Sequence, residues 1–214
     1  MSVSKIKGVD YRYSHWGPYL FHAELPQYVI DRLLIDGKKS TRNWNPMLDG
    51  HLKGQFDYES ETQDWFFNEM QPIIQAYRKG HCDYHALDNI TVDYVMTSLW
   101  INFMKAGDYT PPHIHSDDLS FAIFLDIPKE LSQEQLNYKG IGAAPGSLEF
   151  RYGEQSRPAW VTNTFTAHPV TGDIYIFPSL LEHTVIPYKS DVTRISVSGN
   201  LNATNKDTFP LGYF

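Results

Sequence analysis

The chain has 214 residues, 42% hydrophobic and 20% charged, with 14 Gly and 13 Pro, which fits one domain and excludes disordered, collagenous and low-complexity classes. Its formal net charge of −7 excludes a broad basic surface of the kind that neutralises nucleic-acid phosphates or docks on anionic lipid. A single cysteine, Cys82, cannot close an intramolecular disulfide, and no run approaches the ~20 apolar residues of a membrane span, so a soluble cytoplasmic protein is expected.

Taken in chain order, residues 1–60 read as irregular, with a turn at Trp16-Gly17-Pro18-Tyr19 and a short helix over 25–34. Trp65, Phe66, Met70, Ile73, Ile74 and Tyr77 then recur at steps of three and four, which predicts an amphipathic helix from about 60 to 79 that ends at Gly80, with Pro72 kinking or dividing it. After Asp88 the period becomes alternating. Strand-like runs follow at 90–104, 119–127, 147–152, 160–167, 173–177, 182–187 and 192–200, with a short helix inserted at 129–136. Many short strands at close spacing predict a mainly β fold, a β-sandwich or jelly roll, with N-terminal α-helices packed on one face. The division expected is a helical flank over 1–88 and a β core over 89–214, forming one structural unit.

The chemistry concentrates between two strand-like runs, at Gly107-Asp108-Tyr109-Thr110-Pro111-Pro112-His113-Ile114-His115-Ser116-Asp117-Asp118. On an extended backbone, side chains two residues apart point to the same side. His113 with His115, or His115 with Asp117, can therefore aim at one metal ion, and imidazole plus carboxylate suits Fe(II), Mn(II) or Zn(II). A distal His183 follows the 173–177 run, and Arg194 with Ser196 lies eleven residues further on. A buried Arg beside a hydroxyl is matched to a carboxylate held bidentately.

The pattern His115-x-Asp117, His183, Arg194-x-Ser196 resembles the iron- and 2-oxoglutarate-dependent dioxygenases. The phrases WINFMKAGDYTPPHIH, LSFAIFLDIP, GDIYIFPSLLEHTV and RISVSGN are similar to the 2-oxoglutarate–Fe(II) oxygenases of bacterial and marine-phage genomes, over about residues 90–201. This resemblance implies a double-stranded β-helix and an oxidoreductase that converts 2-oxoglutarate and O2 to succinate and CO2 while hydroxylating an unidentified substrate. It also implies Fe(II) on His115, Asp117 and His183, with Arg194 on the far carboxylate of 2-oxoglutarate and Ser196 donating to it. Asn102, Tyr109 and Tyr188 are candidates to complete the cosubstrate pocket. Because Tyr109 precedes His113 by four, as a Tyr often precedes the first ligand in this superfamily, His113 is the alternative first ligand, which would put His115 at the carboxylate position. The carboxylate is preferred here because it completes a charge-balanced triad.

A cupin-like metal protein, or a non-oxygenase metalloenzyme, is the competing reading. Gly107, His113, His115, Pro178 and His183 match cupin spacing, but Leu119 and Ser120 stand where that motif needs Glu, and a cupin has no use for Arg194-x-Ser196. His51, His81, His85 and His168 have no partner pattern and are expected in solvent or core.

Overall fold

The computed structural model describes residues 17–48, 51–88, 92–153 and 163–204, and the backbone of two short strands, β1 (Ser4–Ile6) and β2 (Val9–Tyr11). The expected turn at Trp16, the strand starts at Ile90 and Thr91 and at 160–162, and parts of the irregular 1–60 stretch and of the 1–88 and 89–214 division lie outside these residues. From Phe21 the chain runs through β3 (Phe21–Glu24), α1 (Gln27–Lys39), β4 (Gln55–Asp57), α2 (Ser60–His85), β5 (Tyr94–Met104) and β6 (Thr110–His113). It continues through β7 (Leu119–Asp126), α3 (Lys129–Asn137), β8 (Leu148–Arg151), β9 (Thr164–Ala167), β10 (Asp173–Pro178), β11 (Glu182–Val185) and β12 (Arg194–Ala203).

From β5 onward the chain passes back and forth between two antiparallel sheets, one ordered β3-β10-β7-β12-β5-β4 and the other β6-β11-β8-β9. That alternation is a double-stranded β-helix, or jelly roll, with α1 and α2 against the outer face of the larger sheet. The flank is woven into it, because β3 and β4 form the two edges of the larger sheet.

The covering of both faces explains the composition of the central strands. β7 reads LSFAIFLD and is buried at nearly every position. Its Phe121, Ile123 and Leu125 join Leu99, Ile101, Ile174, Ile176 and Val197 against Leu33 of α1 and Phe66, Met70 and Ile74 of α2. Inward, Phe124, Tyr175 and Phe177 meet Leu148, Phe150 and Leu181 of the smaller sheet and its turn. Each such fully buried side chain contributes about 1.5–3 kcal/mol.

Three elements depart from the sequence expectation, α2 in two ways. α2 passes unbroken through Pro72, which removes one backbone bond while Phe66, Met70, Ile74 and Tyr77 stay buried on either side. It also passes Gly80 and stops at Ala86, which takes the left-handed conformation at φ 55°. Gly80 serves close packing instead of termination, since a Cβ there would lie 2.0 Å from the Tyr19 hydroxyl. β4 is only three residues long and gives too short a pattern to read. β6 contains Pro111 and Pro112, which read as a loop entry, yet it forms the edge of its sheet, where a missing N–H is tolerated.

Near the end of α2 the His81 ring is packed 4.5 Å from His85 and 6.1 Å from Tyr77. Burial, then the charge of His85, pushes its pKa down to about 4. Between pH 6.5 and 4 the unfolded chain therefore takes up a proton that the folded chain does not, so stability is full above pH 6.5 and falls with acidification. Urea midpoints at pH 7 and pH 5 should show a smaller loss in His81→Leu than in the wild type; an equal loss would exclude His81 as a source.

Candidate metal centre

Register brings the histidines together. β11 pairs with β6 so that His183 lies opposite His113, and a bulge follows, with Val185 opposite Thr110. Such irregularities re-aim side chains at sheet edges. His115 lies just beyond β6, its backbone N–H donating to Ser179 O at 2.9 Å, so the turn after β10 fixes the strap that carries it. The ring of His113 is 4.2 Å from His183 and 5.0 Å from His115, and His115 is 5.2 Å from His183.

One ligand atom from each of His113, His115 and His183 lies within 4.8 Å of the others. His113 Nδ1 is 2.8 Å from Pro111 O and His183 Nδ1 is 3.0 Å from Leu181 O. A carbonyl only accepts, so each Nδ1 carries the proton and each Nε2 keeps its lone pair. Burial, then the neighbouring His113, pushes the His183 pKa down to about 3, which keeps this imidazole neutral and able to ligate. This donor set suits Fe(II) as well as Zn(II).

Asp117, the expected carboxylate ligand, is not brought into this group. Its Oδ1 accepts from the Thr97 hydroxyl at 2.8 Å, because the chain has turned toward β5 and β12 after His115. The residues grouped are therefore those of the alternative register, His113 and His115 with His183.

Beside the histidines opens a cavity of about 620 Å³. Alternate residues of β5 and β12 face it in paired rows: Asn102 with Ser196, Trp100 with Ser198, and Ser98 with Asn200, with Arg194 one row beyond Ser196. This period-two polar pattern in SLWIN and RISVSGN was the signal for a wall of side chains of which the motif reading picked out only Asn102, Arg194 and Ser196. The mouth is rimmed by exposed Met47, Ile114 and Leu180.

Arg194 is 2% exposed, donates from Nη1 to Gly146 O at 2.9 Å, and lies with its guanidinium 5.4 Å above Phe124. Its Nε is buried without a hydrogen-bond partner, and among the described residues no carboxylate pairs with it. Burial pushes its pKa down to about 10, which still leaves it charged at neutral pH. A buried charge without a partner costs several kcal/mol, so this arrangement is suited to an anion from outside the chain.

The Tyr188 hydroxyl is spent on the backbone, donating to Met104 O or Val192 O and accepting from Arg194 N, so it braces Arg194 without lining the cavity. Tyr109 stacks on His51 at 4.8 Å, 39% exposed, and does not line the cavity either. His168 bonds Ser147.

Residues 98–200 match the family model described as "Putative 2OG-Fe(II) oxygenase". No curated protein matches the chain. Among solved structures, a Pseudomonas putida prolyl-4-hydroxylase is similar with TM-score 0.52 and 15% identity, over 86% of this chain and 91% of that one. A Trichoplax adhaerens prolyl hydroxylase, solved with a hypoxia inducible factor peptide fragment, gives 0.54 and 12% over 91% and 87%. SnoN, an alpha-ketoglutarate-dependent epimerase from nogalamycin biosynthesis, gives 0.56 and 14% over 86% and 78%. At such identities the structural likeness shows the fold.

Calorimetry with Mn(II) or Zn(II) tests the ligand set. His113→Ala and His183→Ala should lose more than the roughly 10–100-fold in affinity that removing an outer partner costs, while Asp117→Ala should keep near-normal affinity. Loss of metal by Asp117→Ala would restore the carboxylate triad.

Proposed function

We propose that this chain, a member of the 2OG-Fe(II) oxygenase superfamily, holds iron(II) on His113, His115 and His183, anchors 2-oxoglutarate on Arg194, and hydroxylates a substrate admitted at the cavity mouth, with release of succinate and CO2. The observation that carries this reading is the buried Arg194, unpaired with any carboxylate among the described residues, on the wall of the cavity that the three histidines border. Neither feature alone is specific. Together they supply a metal donor set and an anion site in one cavity.

The bound iron supplies O2 activation, which no side chain provides. The protein's own residues do the rest. Three neutral imidazoles leave the full charge of a divalent ion unbalanced, and a dicarboxylate cosubstrate offsets it. Arg194 offers its guanidinium to the far carboxylate, and Ser196, in the row between Arg194 and Ser198, can donate a hydroxyl to the same group. Asn102 is held by Gln55, Trp100 and Ser198, so its amide is preoriented beside that site. Phe124 and Leu148 keep the inner end dry, where these interactions are strongest. No helix among the described residues is long and apolar enough to cross a membrane.

Two measurements test the reading. Iron-loaded protein should bind 2-oxoglutarate one to one and release succinate slowly without added substrate, and absence of binding would refute it. Arg194→Met should weaken 2-oxoglutarate by about 2–5 kcal/mol, some 30-fold or more, with metal affinity retained. An unchanged affinity would remove Arg194 from the anion site.

A further inference from the structure

Between β7 and β8 the chain inserts α3, which belongs to neither sheet and carries no recognisable motif. Its Leu131, Glu134 and Gln135 are three and four positions apart, so they share one face of the helix. That face grips both of the segments that hold Arg194.

The first segment follows β11. Both oxygens of the Glu134 carboxylate accept from Lys189 N, at 3.0 and 3.2 Å, and Oε2 also accepts from Ser190 N at 2.8 Å and from the Ser190 hydroxyl at 2.5 Å. Desolvation raises the Glu134 pKa, but the Ser190 hydroxyl, the two backbone N–H groups and the Lys189 charge outweigh it and hold the carboxyl below its ordinary range. Immediately before Lys189 stands Tyr188, buried in one cluster with Leu131 and Met104. The Tyr188 hydroxyl accepts from Arg194 N at 3.2 Å.

The second segment precedes β8. Gln135 Nε2 donates to Pro145 O at 2.8 Å, and a Cβ on Gly146 would lie 2.9 Å from Leu131 Cδ1. Gly146 O in turn accepts from Arg194 Nη1 at 2.9 Å. One helix face therefore stands behind both the backbone and the side-chain hydrogen bond of Arg194.

We propose that Glu134 is a positioning residue for 2-oxoglutarate: it fixes the backbone of Lys189 and Ser190, and thereby Tyr188 and the place from which Arg194 presents its guanidinium. This rests on the reading of Arg194 as the cosubstrate anchor. Glu134 does not line the cavity, so its influence on the ligand runs through Arg194. A displaced guanidinium keeps its charge but loses the aligned pair of hydrogen bonds that a carboxylate accepts, and the histidines are untouched.

Calorimetry on the full chain loaded with manganese(II) tests this as a double-mutant cycle. Glu134→Ala should weaken 2-oxoglutarate about fivefold while manganese affinity stays at its wild-type value. Made in Arg194→Met, the same change should have no further effect, because its route to the ligand is already cut. Unchanged 2-oxoglutarate affinity in Glu134→Ala, an equal loss of metal, or a loss that adds in full to that of Arg194→Met would overturn the proposal. Should Glu134→Ala fail to fold, Glu134→Gln, which keeps one acceptor oxygen, serves in the same cycle with an expected loss of about twofold. Wild-type affinity in Arg194→Met would overturn the anchor reading and this proposal with it, whereas a loss there with none in the Glu134 variants overturns this proposal alone.

Discussion

A buried guanidinium that has no carboxylate partner among the described residues is costly, and the pocket is arranged around that cost. Arg194 begins β12 with its side chain inward, one nitrogen on Gly146 O, its guanidinium carbon over the Phe124 ring, and its backbone N–H held by Tyr188. Tyr188 in turn belongs to a small cluster with Leu52, Met104 and Leu131. Folding alone gives no return for an unpaired buried charge. An anion that enters the cavity does, and the proposed cosubstrate carries the matching carboxylate.

The same architecture explains why the three histidines sit where they do. The chain crosses repeatedly between the two facing sheets, so Arg194 of the larger sheet and the His113–His183 pair of the smaller one face a common interior. The backbone carbonyls of Pro111 and Leu181 fix both paired rings in one tautomer. The strap after β6 is held to Ser179, which brings His115 back toward the pair while sending Asp117 to Thr97. Backbone bonds thus orient the His113 and His183 rings and hold the strap that carries His115.

Much of this was legible in the sequence. Alternation after Asp88 gave the strands of the core, and the separation of His183 from the upstream histidines required two strands to meet. The carboxylate preference came from spacing and charge balance, neither of which contains the register of β6 against β11; that pairing sets His113 opposite His183 and leaves Asp117 outside the histidine group. Tyr109 looked suitable by its position four residues before His113, but it stacks outward on His51. Gln55 was invisible because a three-residue strand leaves no periodic signal, and its inward face is fixed only by pairing with β5. Gly80 read as a stop signal for α2, whereas its lack of a side chain makes room for Tyr19.

The most direct measurement is an anaerobic crystal structure of the protein with manganese(II) and 2-oxoglutarate, read by anomalous scattering. The account predicts one manganese peak among the imidazoles of His113, His115 and His183, and the far carboxylate of 2-oxoglutarate on the Arg194 guanidinium. A peak ligated by the Asp117 carboxylate with His113 excluded, or a 2-oxoglutarate molecule bound away from Arg194, would contradict it.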